Sequence, residues 1–120
     1  MRIKKILFIL SMLLVFVCSA KATVWSADNI KMVHLQDRTK YVCDPDGILS
    51  AEAISQADRF LDSLRRGCKV QVAFVIARRV ENGDTYRMAQ DLGNKYGVGD
   101  KDTRRGLVVV IAVDDKRYTI

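Results

Sequence analysis

Two apolar runs constrain this chain more than any other feature. Val70 to Ala77 and Leu107 to Val113 are nearly continuous hydrophobic stretches rich in β-branched residues. A strand with one wet face alternates apolar and polar residues. A run without that alternation is covered on both faces, as in a parallel sheet sandwiched between helices. Two stretches with helical periodicity separate and precede these runs, and Arg117 to Ile120 begins a returning antiparallel strand. The order β-α-β-α-β-β predicts an α/β fold: a three-layer α/β/α sandwich around a mostly parallel sheet with right-handed crossovers.

The local signals agree with that order. Tyr41-Val42-Cys43 is a short β-favouring run, closed by the turn Asp44-Pro45-Asp46-Gly47. Ser50 is placed to cap a helix with Glu52 in its first turn, and Leu49 and Ile54 form a hydrophobic staple. Ile54, Ala57, Leu61 and Leu64 recur at helical steps, with Ala53 and Phe60 flanking them on the same face. Arg65 and Arg66 complement the carboxyl end, and Gly67 is expected in the left-handed C′ conformation. After Val70 to Ala77, Arg78 to Gly83 reads as a polar turn. Asp84 caps a second helix with Met88, Ala89, Leu92 and Tyr96 on one face, and Gly97 ends it.

Residues 1 to 22 differ from the rest. Arg2, Lys4 and Lys5 precede 13 residues, Ile6 to Cys18, broken only by Ser11, and Ala20-Lys21-Ala22 supplies a small-x-small exit. A spanning helix needs about 20 apolar residues, so this run is short. The pattern predicts a cleaved secretory signal peptide and an exported protein of the periplasm or cell envelope. A retained anchor is the alternative. Cys18 raises lipidation, against which the bulk of Val17 argues. Residues 23 to 40 read as a polar, weakly structured N-terminal arm, with Trp25 and the single His34 as packing or solvated residues. The chain stops inside its last strand without a turn or cap, so a longer protein is expected, with the C-terminal part of the 41 to 120 domain missing.

The formal charge of +6 is largely the leader's. Without its four cations, 16 bases face 14 acids, a net +2. The remaining bases are scattered along the sequence and no basic stripe interleaved with aromatics occurs, so no nucleic-acid partner is expected. Cys43 and Cys68 remain, in a compartment where disulfides persist. With Cys43 ending the first strand and Cys68 preceding the second, about four residues of parallel strand hold them about 13 Å apart. A bridge needs about 7 Å; a shorter or non-parallel first strand would remove the objection.

Ligands of open parallel sheets bind beyond the carboxyl ends of the strands. Two loops at that edge carry carboxylate pairs, Asp44 with Asp46 and Asp114 with Asp115. Four convergent acids repel unless protonated or bridged by a cation, and oxygen-only ligands suit Ca2+ or Mg2+ rather than zinc. Asp is also favoured in turns whatever its function. Asp100 and Asp102 are weaker candidates: Asp100-Lys101-Asp102 opens like a calcium loop, but Arg104 stands where an oxygen ligand is needed. Asp44-Pro45-Asp46 resembles the start of a haloacid-dehalogenase nucleophile motif. Ile48 departs from that motif, and no later Ser and Lys can be matched to it. The only histidine lies in the arm, so no Ser/His/Asp set is available.

Three stretches together resemble the TPM domain family. They are Val42-Cys43-Asp44-Pro45-Asp46-Gly47-Ile48-Leu49-Ser50, then Tyr96-Gly97-Val98-Gly99-Asp100-Lys101, then Gly106-Leu107-Val108-Val109-Val110 running to Asp114-Asp115-Lys116-Arg117. Arg105 stands where that family often has Asn. The resemblance implies a small exported α/β/α domain, often anchored by a later membrane segment. It also implies an acidic pocket able to hold calcium, Ca2+ rather than Mg2+, at Asp44, Asp46, Asp114 and Asp115. Some family members are acid phosphatases and others are accessory factors of membrane protein complexes. The expected function is an exported accessory or binding domain with a calcium-binding acidic pocket, acting with cell-envelope or membrane proteins. A metal-assisted acid phosphatase and a structural module without ligand are the alternatives. No nucleophile or general acid can be named.

Overall fold

The computed structural model describes residues 23 to 100 and 103 to 120, so the expected leader lies outside the described residues. The elements in chain order are β1 (Val24–Trp25), a 3-10 turn (Val33–Leu35), β2 (Val42–Cys43), α1 (Ala51–Cys68) and β3 (Val70–Ala77). They are followed by β4 (Arg79–Val80), a 3-10 turn (Glu81–Gly83), α2 (Thr85–Tyr96), β5 (Arg105–Ala112) and β6 (Arg117–Thr119). No helix among the described residues is long and apolar enough to cross a membrane.

The main sheet has the order β2-β3-β5-β6. β3 pairs parallel with β5 along its full length, from Val70 opposite Arg105 to Ala77 opposite Ala112. β2 adds a short parallel edge, Val42 to Phe74 and Cys43 to Val75, and β6 returns antiparallel against Val110 to Ala112. The two apolar runs thus form the centre, as their lack of alternation demands. α1 packs on β2 and β3 and α2 on β5 and β6, which makes the expected α/β/α sandwich.

While Tyr41, Val42, Val72 and Ile76 are buried outside it, the main core cluster lies on the α2 side. Cys43, Ala73, Val75, Val110 and Ala112 point there and meet Met88 and Leu92 of α2. The same cluster includes Ala27, Ile30 and Met32, all buried. The segment read as a weakly structured arm therefore packs as part of the core layer. Its apolar residues are too isolated to show a period, but β1 pairs with β4, Val24 opposite Arg79 and Trp25 opposite Val80. The polar turn expected after β3 thus contains a two-residue strand.

Both helices are capped as their sequences demand. Ser50 Oγ accepts the Ala53 N–H at 3.1 Å, and the Asp84 carboxylate accepts the Arg87 N–H at 2.9 Å. Gly97 ends α2 in the left-handed region at φ 62°. The carboxyl end of α1 differs from expectation. Gly67 stays helical, the helix runs to Cys68, and Lys69 takes the left-handed position at φ 55°. One more helical residue places the reversal directly before β3. Phe60 is 63% exposed rather than on the buried face, because α1 covers only the β2 and β3 side of the sheet. Cys43 and Cys68 are both free thiols, the first buried and the second exposed. Cys43 lies opposite Val75, near the far end of the strand that Cys68 precedes.

Candidate functional site

The carboxyl edge of the sheet is organised around the segment Arg78-Arg79-Val80. Asp46 reaches it from the loop after β2 and accepts the Arg78 N–H at 2.8 Å through Oδ2. Asp115 reaches it from the β5–β6 turn and accepts the Val80 N–H at 3.2 Å. The Arg78 carbonyl accepts the Asp114 N–H at 2.8 Å, and the Asp114 carboxylate lies 4.0 Å from Arg79 Nε. Acids from two loops far apart in sequence therefore converge on one short backbone stretch.

Asp44 has a different task. Its two oxygens accept the N–H groups of Ile48, at 2.9 Å, and Leu49, at 2.7 Å. It folds its own loop and aims the chain into Ser50, as an Asx-type turn does. Gly47 completes that turn at φ 66°.

Trp25 is the residue that sequence reasoning missed. Its indole N–H donates to both oxygens of Asp46, each at 3.1 Å. The only signal for it was that it is the single tryptophan of the chain. Trp25 also lines a cavity of about 330 Å³, together with Lys31, Cys43 and Asp44 among others.

The four acids suit a hard cation by chemistry, since they offer only oxygen. Their geometry is less prepared for one. Both oxygens of Asp44 and both of Asp46 already accept N–H bonds, and Asp115 uses one oxygen. Among the described residues, no group of three or more His, Cys, Asp or Glu comes together to hold a metal ion. Asp114, with a 40% exposed side chain, and Oδ1 of Asp115 keep the most acceptor capacity.

Asp100 lies at the opposite end of the sheet. There its N–H donates to the Arg105 carbonyl at 3.0 Å, and its carboxylate accepts the Thr103 N–H at 3.3 Å. It does not join the other four. Asp102 lies outside the described residues.

Comparison with known proteins agrees with this architecture. The solution NMR structure of the N-terminal domain of a protein from P. gingivalis is similar, with a TM-score of 0.71 and 25% identity over 80% of this chain. The match covers 61% of that structure, so this chain spans about three fifths of its length. No curated protein matches. The family model described as the TPM domain matches residues 42–120, from the start of β2 to the last residue. With that match over most of its length, the chain belongs to the TPM domain family.

Proposed function

We propose that this TPM domain is an exported accessory module that works by binding. Its carboxyl edge is the working surface, Ca2+ the ion and a cell-envelope protein the partner. The observation that carries the reading is the convergence of Asp46 and Asp115 on the Arg78–Val80 segment, which gathers acids onto one edge. The leader pattern of residues 1 to 22 supports export. Asp44, Asp46, Asp114 and Asp115 are the residues that would hold Ca2+, with Asp114 and Oδ1 of Asp115 keeping the most acceptor capacity for it. The ion would supply a positive charge at the edge and open coordination positions for oxygen ligands of the partner.

Titration with Ca2+ and Mg2+ while following the melting temperature tests this, because a ligand of the native state raises it. Ca2+ is expected to raise the Tm and Asp115→Asn to abolish the rise. No rise at millimolar Ca2+ would leave a structural module in which the aspartates only build turns.

A metal-assisted acid phosphatase is the second reading, favoured by the word phosphatase in the name of the matching family model. Release of phosphate from an aryl phosphate that depends on metal and is lost in Asp46→Asn would promote it over the binding module.

A further inference from the structure

The end of the sheet opposite the acidic edge carries a cleft of about 710 Å³. It is bounded by the 3-10 turn of the arm, the carboxyl end of α1, the start of β3 at Gln71 and the segment after α2. Among the described residues four cations line it, Arg38, Arg65, Arg66 and Lys69, against two carboxylates, Asp62 and Asp100. Arg65, Arg66 and Lys69 share the carboxyl end of α1, and the fold brings Arg38 to them from the arm.

The two acids are already engaged. Asp62 pairs with Arg66 at 3.0 Å, which sets both charges aside and leaves Arg38, Arg65 and Lys69, and it accepts the Tyr41 hydroxyl at 2.8 Å. Asp100 accepts the Thr103 N–H. Arg65 is half-buried and held in place by donating to the Arg38 carbonyl at 3.3 Å. That contact ties the arm to α1 at the cleft. His34 also lines the cleft, and its pKa is lowered first by burial and then by the charge of Arg65.

Arginines in the last turn of a helix complement its dipole, which accounts for Arg65 and Arg66 alone. Arg38 and Lys69 stand outside that turn. Lys69 holds φ 55°, a left-handed conformation that favours glycine, and Gly67 two residues earlier is not used for it.

We propose that this cleft is an anion site for a phosphate-monoester group, carried by a small solute or by a lipid headgroup. Guanidinium groups match phosphate oxygens with paired N–H donors, and several cations around one space suit a dianion better than a single carboxylate. The site is independent of the acidic edge, which lies at the far ends of the same strands.

The test is amide chemical-shift mapping of the 15N-labelled chain. The probes are inorganic phosphate and phenyl phosphate, up to about 10 mM, the range of a weak site. Chloride at matched ionic strength is the reference. Saturable shifts are expected at Arg65, Lys69 and Gly99, and not at Asp46 or Asp115. Lys69→Gly removes a cation and relieves the left-handed strain, so it should bind phosphate about tenfold more weakly without a lower Tm. The Arg38→Ala, Arg65→Ala pair should lose binding altogether. Vesicles of phosphatidylcholine with and without phosphatidic acid separate the sources. Sedimentation with phosphatidic acid that the Arg38→Ala, Arg65→Ala pair loses assigns a headgroup, and binding of soluble phosphate alone assigns a solute. Shifts no larger than those in chloride, or unchanged in Lys69→Gly, would overturn the proposal.

Discussion

Trp25 hangs the arm on the acidic edge through Asp46: its indole N–H lies 3.1 Å from each carboxylate oxygen. The contact spans 21 residues and joins the strand pair β1–β4 to the loop after β2. Asp46 in turn holds the Arg78 N–H. One carboxylate thus couples three segments.

Trp25→Phe keeps a ring in place and removes the donor. Hydrogen bonds to a carboxylate contribute about 1.5–3 kcal/mol, and this one is only partly buried. A loss of about 1.5 kcal/mol is expected in urea unfolding. Asp46→Ala should cost more, since it also strands the Arg78 N–H. The double variant should fall short of the sum of the two, as contacting residues do. Additivity would mean that the contact contributes nothing.

Asp58 ties α1 to β2. One of its oxygens accepts the N–H groups of Tyr41, at 2.8 Å, and Val42, at 3.0 Å, and the residue is 4% exposed. Its other oxygen is buried without a hydrogen-bond partner among the described residues. Asp58→Ala leaves two buried N–H groups unpaired, a cost of about 3 kcal/mol. Asp58→Asn keeps the acceptor and should cost less. Equal stability of wild type and Asp58→Ala in denaturant would refute the anchoring role.

Gly106 opens the third stretch shared with the family, and its reason is steric. A Cβ there would press on the Val98 carbonyl, with its carbon only 2.8 Å away. Those are backbone atoms and cannot swing aside. Gly106→Ala is expected to destabilise by about 3 kcal/mol, the upper end for overpacking. Thermal unfolding would show it as a clear drop in Tm.

Burial pushes up the thiol of Cys43, and burial, with help from Asp62, pushes up the hydroxyl of Tyr41. Both groups ionise more readily in the unfolded chain, from ordinary values of 9.0 and 10.0. Their contribution to stability is intact below pH 9 and is lost as pH rises through the folded values. A Tm profile should therefore slope downward from about pH 9. Cys43→Ala should flatten the first part of that slope. Cys68, exposed, should react with an alkylating reagent in the native state, whereas Cys43 should wait for unfolding.

His34 has the opposite sign. Its folded pKa lies below 6.5, so the unfolded chain takes up a proton first, and stability is lost as pH falls from 6.5 through the folded value. Arg65→Ala should raise the His34 pKa seen by NMR. Burial, the larger cause, should keep it below 6.5.

Much of the fold was legible in advance because its signals are local. A β-branched run without alternation, a capping residue before a helical stripe and a closing glycine each act within a few residues. β3, β5, Ser50, Asp84 and Gly97 therefore stand where the chain's pattern puts them. The left-handed residue after α1 did not follow the same rule. Gly67 is conformationally free, but the reversal falls at Lys69, where the helix meets the start of β3.

The acidic edge was half legible. Strand order places the two Asp pairs at one end of a parallel sheet, and the structure brings Asp46, Asp114 and Asp115 to one segment there. Which backbone N–H each carboxylate serves depends on the side-chain path across loops, and no spacing encodes that. Trp25 packs against the core, within its sequence reading, but its bond to Asp46 was not legible, because a lone tryptophan in a polar stretch shows no period and its partner lies 21 residues away.

The sequence by itself determined the layer order and the positions of the acids, because periodicity, capping and turn chemistry are read along the chain. Tertiary structure alone decided that Ala27, Ile30 and Met32 belong to the core and that Asp44 spends both oxygens on its own loop. It also decided that Arg38 shares one cleft with Arg65, Arg66 and Lys69. Each of those outcomes depends on where distant segments meet, and a one-dimensional pattern does not carry that information.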